Sequence, residues 1–384
     1  MALISTTDWI VFLVVVGLRF LLPLLIPLFP LPAILACLLL DGVDQTIFQT
    51  FTRLPLDGYQ GYDKALDIYY LSVAYISTFR NWTNSHAFQT SRFLYFYRLV
   101  GVVLFEWFHW RPLLLIFPNT FEYFFIWYEA VRLFWNPARL SRRAVLLAAA
   151  AIWIVIKLPQ EYWIHIAQLD ATDVLKSLLG GTAETAWGPL LADNLVLIAG
   201  VLVVIAAALF FAFRALRPHL PPRDHKLALR ADAYTDKPTA AQLALARQTW
   251  QERIFDRDLV EKTVLVGFIT MIFAQILPNA TTSPLGILVN VALFIIANTA
   301  ASHFLARRGM TSVSPILHFL AVLLLNSGLV LVGHLLGGGT TNWFNATFFV
   351  VLLSLIVTLF DRFQPIHLAR FPRGPLAARP AARE

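Results

Sequence analysis

Residues 195–213 read LVLIAGVLVVIAAALFFAF, an unbroken run without a charged, amide or hydroxyl side chain. A helix of roughly 20 such residues matches the thickness of a bilayer's hydrocarbon core, and the pattern predicts a span near 190–212. Working outward, comparable runs predict helices near 9–27, 32–52, 88–108, 113–134, 144–166, 262–279, 284–304, 314–336 and 343–361. A further stretch, KALDIYYLSVAYISTFR near 64–80, is short and carries Asp67. It either crosses the membrane, dips into it, or lies along its surface. The expected fold is therefore all-α, a polytopic transmembrane bundle of about ten or eleven spans.

Composition agrees. Hydrophobic residues make up 58% of the 384-residue chain and charged residues 14%. A soluble domain runs nearer a quarter charged, so the bilayer is the solvent this composition suits. The net charge of +7 is gathered into a few short stretches, the pattern of cytoplasmic loops and not of a nucleic-acid surface. The expected partner is membrane lipid, with no nucleic acid. A single cysteine, Cys37, excludes an intrachain disulfide and any multi-cysteine metal site.

Lys and Arg concentrate at 136–143, 214–262, Arg307–Arg308 and the tail after Asp361. The intervening loops at 110–112, 167–189, 279–284 and 337–342 carry only Arg111 and Lys176. The helix count puts the four rich segments on one side, which the positive-inside rule makes cytoplasmic. The expected location is the plasma (inner) membrane with a cytoplasmic C-terminus. If 64–80 crosses, the N-terminus is outside; if not, it is inside. Two membrane bundles are expected, 1–189 and 190–384, the second including a cytoplasmic linker at 214–261 and a disordered tail at 365–384. The N-terminal run reads as a retained first span.

Polar residues are distributed unevenly. Between Thr263 and Phe360 there is no Asp, Glu or Lys, whereas the first 170 residues place many ionisable groups in or beside their helices. A charge at the bilayer centre costs about 2.5–3.5 kcal/mol on insertion scales, so such groups normally face a bundle interior or a watery cavity. At about 100° per residue, Asp41 and Asp44 share a face, as do Asp63 and Asp67. Arg98, Glu106 and His109 fall in one arc, Asn119, Glu122, Glu129 and Arg132 form a second stripe, and Lys157, Glu161 and His165 a third. Arg92, Arg111, Arg132 and Lys157 either join this seam or snorkel to the interface. Trp82, Trp107, Trp110 and Trp135 suit interfacial belts.

No nucleotide-binding glycine loop, H-E-x-x-H zinc motif or nucleophile elbow is present. Asp41-x-x-Asp44 followed by Asp63-x-x-x-Asp67 resembles the aspartate pattern of CDP-alcohol phosphotransferases. That resemblance implies a divalent metal, Mg²⁺ or Mn²⁺, held by Asp41, Asp44, Asp63 and Asp67. The sequence departs from the pattern where Gln45 replaces a glycine, where the Ala-Arg pair is missing, and by one residue in the interval. Arg98 and His109, ten residues between them, resemble the Arg-x10-His pattern of the acyltransferase-3 family.

Two functional readings follow, from different classes. In a transporter or permease, Asp41 and Asp44 share a proton or cation, and Arg98, Glu106, His109, Asn119, Glu122, Glu161 and His165 line the substrate or ion pathway. In a membrane-embedded transferase acting on a lipid, the four aspartates bind metal and His109 or His165 acts as base. A scaffold subunit of a larger membrane complex is a third possibility without a signature of its own.

Overall fold

The computed structural model describes residues 5–54, 59–169, 171–182, 184–233, 237–252, 257–276, 314–337 and 342–372, with a few positions between 293 and 304. The protein is all-helical, with no strand among the described residues. Among the described residues, six helices are long and apolar enough to cross a membrane: Thr6–Leu25, Pro30–Phe51, Arg142–Ile166, Leu195–Ala215, Pro315–Leu335 and Trp343–Arg370. It is a membrane-embedded helical bundle. The span expected at 284–304 and the loop at 279–284 lie essentially outside the described residues, as do Arg307 and Arg308.

In chain order the helices are α1 (Thr6–Leu21), α2 (Pro30–Phe51), α3 (Tyr59–Asn81), α4 (Ser85–Phe108), α5 (Pro112–Ile116), α6 (Thr120–Arg132) and α7 (Arg142–Ile166). Next come α8 (Ala171–Leu178), α9 (Trp187–Asp193), α10 (Leu195–Leu216), α11 (Ala240–Glu252), α12 (Arg257–Ile276), α13 (Pro315–Gly337) and α14 (Trp343–Arg370). α1 starts under a capping box in which Ser5 and Asp8 satisfy each other's backbone N–H groups.

Hydrogen bonds fix which helix ends lie together. Arg80 and Asn81, at the end of α3, donate to the carbonyl of Pro27 in the α1–α2 turn. Arg370, ending α14, donates to the carbonyl of Arg80. Arg132, ending α6, donates to carbonyls of Arg230 and Ala231 in the 214–261 segment. These ends form one pole, hereafter the linker pole. At the opposite pole the Arg53 N–H donates to Asp8, and Tyr62 donates to Asn345 near the start of α14.

α3 therefore runs from one pole to the other. Its 23 residues extend about 34 Å at 1.5 Å per residue, enough to traverse a bilayer. It is also the most buried helix of the bundle, with every residue from Ile68 to Phe79 buried. A helix surrounded by other helices does not need a lipid-compatible surface, which is why its composition fell short of an ordinary span.

Three boundaries differ from the sequence reading. The helix expected at 113–134 is broken at Phe117-Pro118-Asn119 into α5 and α6, because Pro118 has no N–H and restrains Phe117 away from helical ψ. α7 contains two wide turns, Ile152–Lys157 and Tyr162–Ile166, flanking Pro159. The chain does not become irregular at 365: α14 continues through Pro365 to Arg370, burying Phe363, His367 and Leu368. Burial of that last turn and the Arg370 bond to Arg80 hold it.

The linker-pole half of the bundle is a dense aromatic core. Tyr75 stacks on Tyr95 at 4.3 Å and Trp82 on Tyr128 at 3.8 Å between ring centroids, with Phe79, Phe121, Phe124 and Phe125 filling between. Trp82 is fully buried and donates to Glu129 at 2.8 Å, so it is a core residue and not part of an interfacial belt. Trp107 and Trp110 are exposed. The core is continuous across both sequence halves: Phe79 meets Phe360, and Phe20 meets Phe348. α12 joins them through adjacent residues, Glu261 with Tyr75 and Arg92, and Lys262 with Asp361 at 2.7 Å.

Candidate functional site

Arg19 is the only charge of α1 beyond Asp8. It is 5% exposed and lies in the second half of the first span, in the last turn of α1. There its guanidinium meets four carboxylates: Asp41 at 2.5 Å and Asp44 from α2, Asp63 and Asp67 (2.6 Å) from α3. The Tyr59 hydroxyl donates to Asp44 at 2.6 Å. The spacings make this arrangement possible, since three or four residues return each carboxylate to the same helix face.

Four carboxylates against one guanidinium leave an excess of up to three negative charges. In a medium of low dielectric such an excess calls for protons or cations. Oxygens of Asp41, Asp63 and Asp67 lie within 4.8 Å of one another, and an all-oxygen set suits a hard divalent cation. The residues fit such an ion, with Arg19 as its competitor for the same oxygens. Asp44 is sealed at 2% exposure, whereas the side chains of Asp63 and Asp67 are about one third exposed (36% and 35%). The centre thus opens on the α3 side.

A second polar centre surrounds the break between α5 and α6. The interrupted helix frees backbone groups, and charged side chains take them up: Arg98 donates to the Phe117 carbonyl at 3.0 Å, and the Asn119 N–H donates to Glu161 at 2.9 Å. Freed backbone groups inside a membrane need such partners. The Asn119 amide donates to Glu122 at 3.0 Å, and Glu122 also accepts from Tyr70 at 2.6 Å. Lys157 stands 4.0 Å from Glu122, donates to Gln160 at 3.0 Å and covers the Tyr123 ring. His165 pairs with Glu161 at 3.0 Å. Tyr70 lies one turn beyond Asp67 on α3, so the two centres are neighbours.

No known protein family, curated protein or solved structure matches this chain.

The site is thus described by its own geometry. Asp41, Asp44, Asp63 and Asp67 come together in the first centre. Arg98, Asn119, Glu122, Glu161 and His165 come together in the second. Glu106 stands apart, paired with Lys64 at 3.2 Å. His109 joins neither: it ends α4 in the left-handed region (φ 48°) and is exposed. Arg98 and His109, eleven residues apart on one helix, are separated by about 16 Å and form no joint site. Lys157 and Arg132 are buried at 3% and 4% exposure; neither snorkels. Arg132 instead pairs with Glu129 at 2.5 Å.

Sequence reasoning passed over Arg19, Tyr59 and Tyr70. For Arg19 a signal existed: a lone arginine inside an apolar run requires a partner in the bundle. For the two tyrosines there was none, because aromatic residues are abundant throughout this region.

Proposed function

We propose that the chain is a cation-coupled solute transporter of the plasma (inner) membrane, its C-terminus and 214–261 segment cytoplasmic. One observation carries the reading: an aspartate cluster within the helical bundle, in negative excess, adjoins the break of a discontinuous helix. Coupling ions and solutes in secondary transporters bind at midplane sites built from such interrupted helices. Asp41, Asp44, Asp63 and Asp67 take the coupling proton or metal cation, and Glu122, Lys157, Glu161 and His165 line the adjoining solute site. The basic residues Arg139, Arg142 and Arg143 follow α6 at the linker pole, which supports that pole being cytoplasmic.

The test is pH-driven uptake of a labelled metabolite extract by proteoliposomes, read by mass spectrometry. Wild type accumulates at least one solute above empty vesicles; Asp41→Asn, still monodisperse, accumulates none. Undiminished uptake by the variant, or none by the wild type, overturns the assignment. Sidedness is checked separately with His109→Cys in a Cys37→Ser background. An impermeant thiol reagent is expected to label it on intact cells, and labelling confined to inverted vesicles contradicts the orientation.

The proximity of the Asp41, Asp63 and Asp67 oxygens favours one further reading, a metal-dependent transferase acting on a lipid-linked substrate. With the proposed orientation the exposed aspartates belong to the outward half, away from cytoplasmic nucleotide-activated donors. Under this reading purified protein binds Mn²⁺ and loses it in Asp41→Ala; equal binding by both removes it.

A further inference from the structure

Residues 221–233 carry the observation. The ends of α6 and of the α1–α2 turn leave carbonyl groups without helical partners, and this irregular segment supplies donors to them. Its N–H groups at Asp224 and Ala228 donate to Phe134 and Leu133 at 3.0 Å each, and that at Ala231 donates to Leu28 at 2.8 Å. In return Arg132 donates to the carbonyls of Arg230 and Ala231, and the Trp135 indole to that of Pro221. Two ion pairs clamp the ends: Asp224 with Arg139 at 2.7 Å and Asp232 with Arg80 at 2.8 Å. Ala228 and Ala231 are 1% exposed; they are the two residues of the segment seated in the bundle.

The strap therefore crosses the linker-pole ends of α1, α3 and α6, three helices that carry the two polar centres or pack beside them. Between it and the aspartates lie Ala33, Ile34 and Cys37, all buried, and the aromatic core around Trp82. Toward the other pole Asp63, Lys64 and Asp67 are partly or fully exposed. We infer that 221–233 is a tethered seal that closes the linker-pole end of the polar pathway, so that this structure is its outward-accessible state and release of the strap gives access from the cytoplasm. The inference deepens the transport reading and rests on it for the meaning of the pathway. The clamps suit release: both ion pairs are partly exposed, the kind of interaction worth little and weakened by salt.

Cys37, the only cysteine, reports on the seal. It is 6% exposed and lies one turn from Asp41 on the strap side. Its modification by an impermeant maleimide is measured in inverted vesicles, for wild type and for Asp224→Ala/Asp232→Ala. The expected result is slow labelling in wild type and labelling about fivefold to tenfold faster in the double variant, as the loss of two partly exposed pairs and of the Asn136 N–H bond to Asp224 implies. Equal rates overturn the seal. If the variant fails to fold, amide exchange of wild-type protein decides: Asp224, Ala228 and Ala231 should exchange together and ahead of core amides such as Tyr75 and Phe124. Exchange no earlier than the core means no separate opening and overturns the proposal. Neither readout needs a transported solute, so a failed uptake assay and a failed seal are distinguishable.

Discussion

Arg19→Met is expected to prevent accumulation of folded protein, at a cost of about 3–5 kcal/mol, the usual penalty for removing one partner of a buried charge network. Met keeps an unbranched stem and removes only the guanidinium, so the loss is chiefly electrostatic. Asp41, Asp44, Asp63 and Asp67 would remain facing one another without the guanidinium that touches all four. The measurement is thermal unfolding of detergent-purified protein, or recovery of a monodisperse peak where too little survives. Asp41→Asn/Asp67→Asn introduced into the Arg19→Met chain should restore much of the loss, because it removes two of the mutually repelling charges. An unchanged melting temperature in Arg19→Met alone would show that the carboxylates are neutral without it.

Gly101→Ala comes next in size. α4 approaches the helix break so closely that a Cβ at 101 would collide with the Phe117 Cβ and lie 2.7 Å from its Cγ. Phe117 is held on its other sides, its carbonyl by Arg98 and its ring against Tyr97. It cannot simply swing away. Overpacking of this kind costs about 1–3 kcal/mol, and here it falls on the residue that ends α5. The expected result is a lower melting temperature together with reduced or abolished uptake. Gly200→Ala is the control, since nothing lies within 4 Å of a Cβ built there; it should be neutral. Equal behaviour of the two variants would mean that the break is not pinned by α4.

Much of this architecture was legible in the sequence. Apolar length located the spans around 195–213 and 315–337 because those helices expose their side chains, and lipid selects for apolarity along the whole surface. The same criterion was ambiguous for 64–80 for the opposite reason: α3 touches protein on nearly all sides, and its serines, tyrosines and aspartates have partners there. Helical periodicity correctly put Asp41 with Asp44 and Asp63 with Asp67 on common faces. It said nothing of whether those two faces met, or that Arg19 would stand between them, since that depends on how α1, α2 and α3 associate. Periodicity also grouped His109 with Arg98, an angular agreement that ignores the eleven residues separating them along the axis. Pro118 marked an irregularity, but the carbonyl and N–H it releases acquire meaning only beside Arg98 and Glu161.

The centrality of α3 bears on how the protein is made. A segment bearing Asp63, Lys64, Asp67 and Arg80 gains too little from lipid to leave the translocation channel alone. The preceding hairpin of α1 and α2, already carrying Arg19, Asp41 and Asp44, offers it a charged face to join. Insertion of α3 is therefore expected to depend on the two helices before it, and a ribosome stalled before α4 should hold a chain whose α3 is not yet inserted. On that expectation the innermost helix, buried from Ile68 to Phe79, is retained by its neighbours and not by lipid.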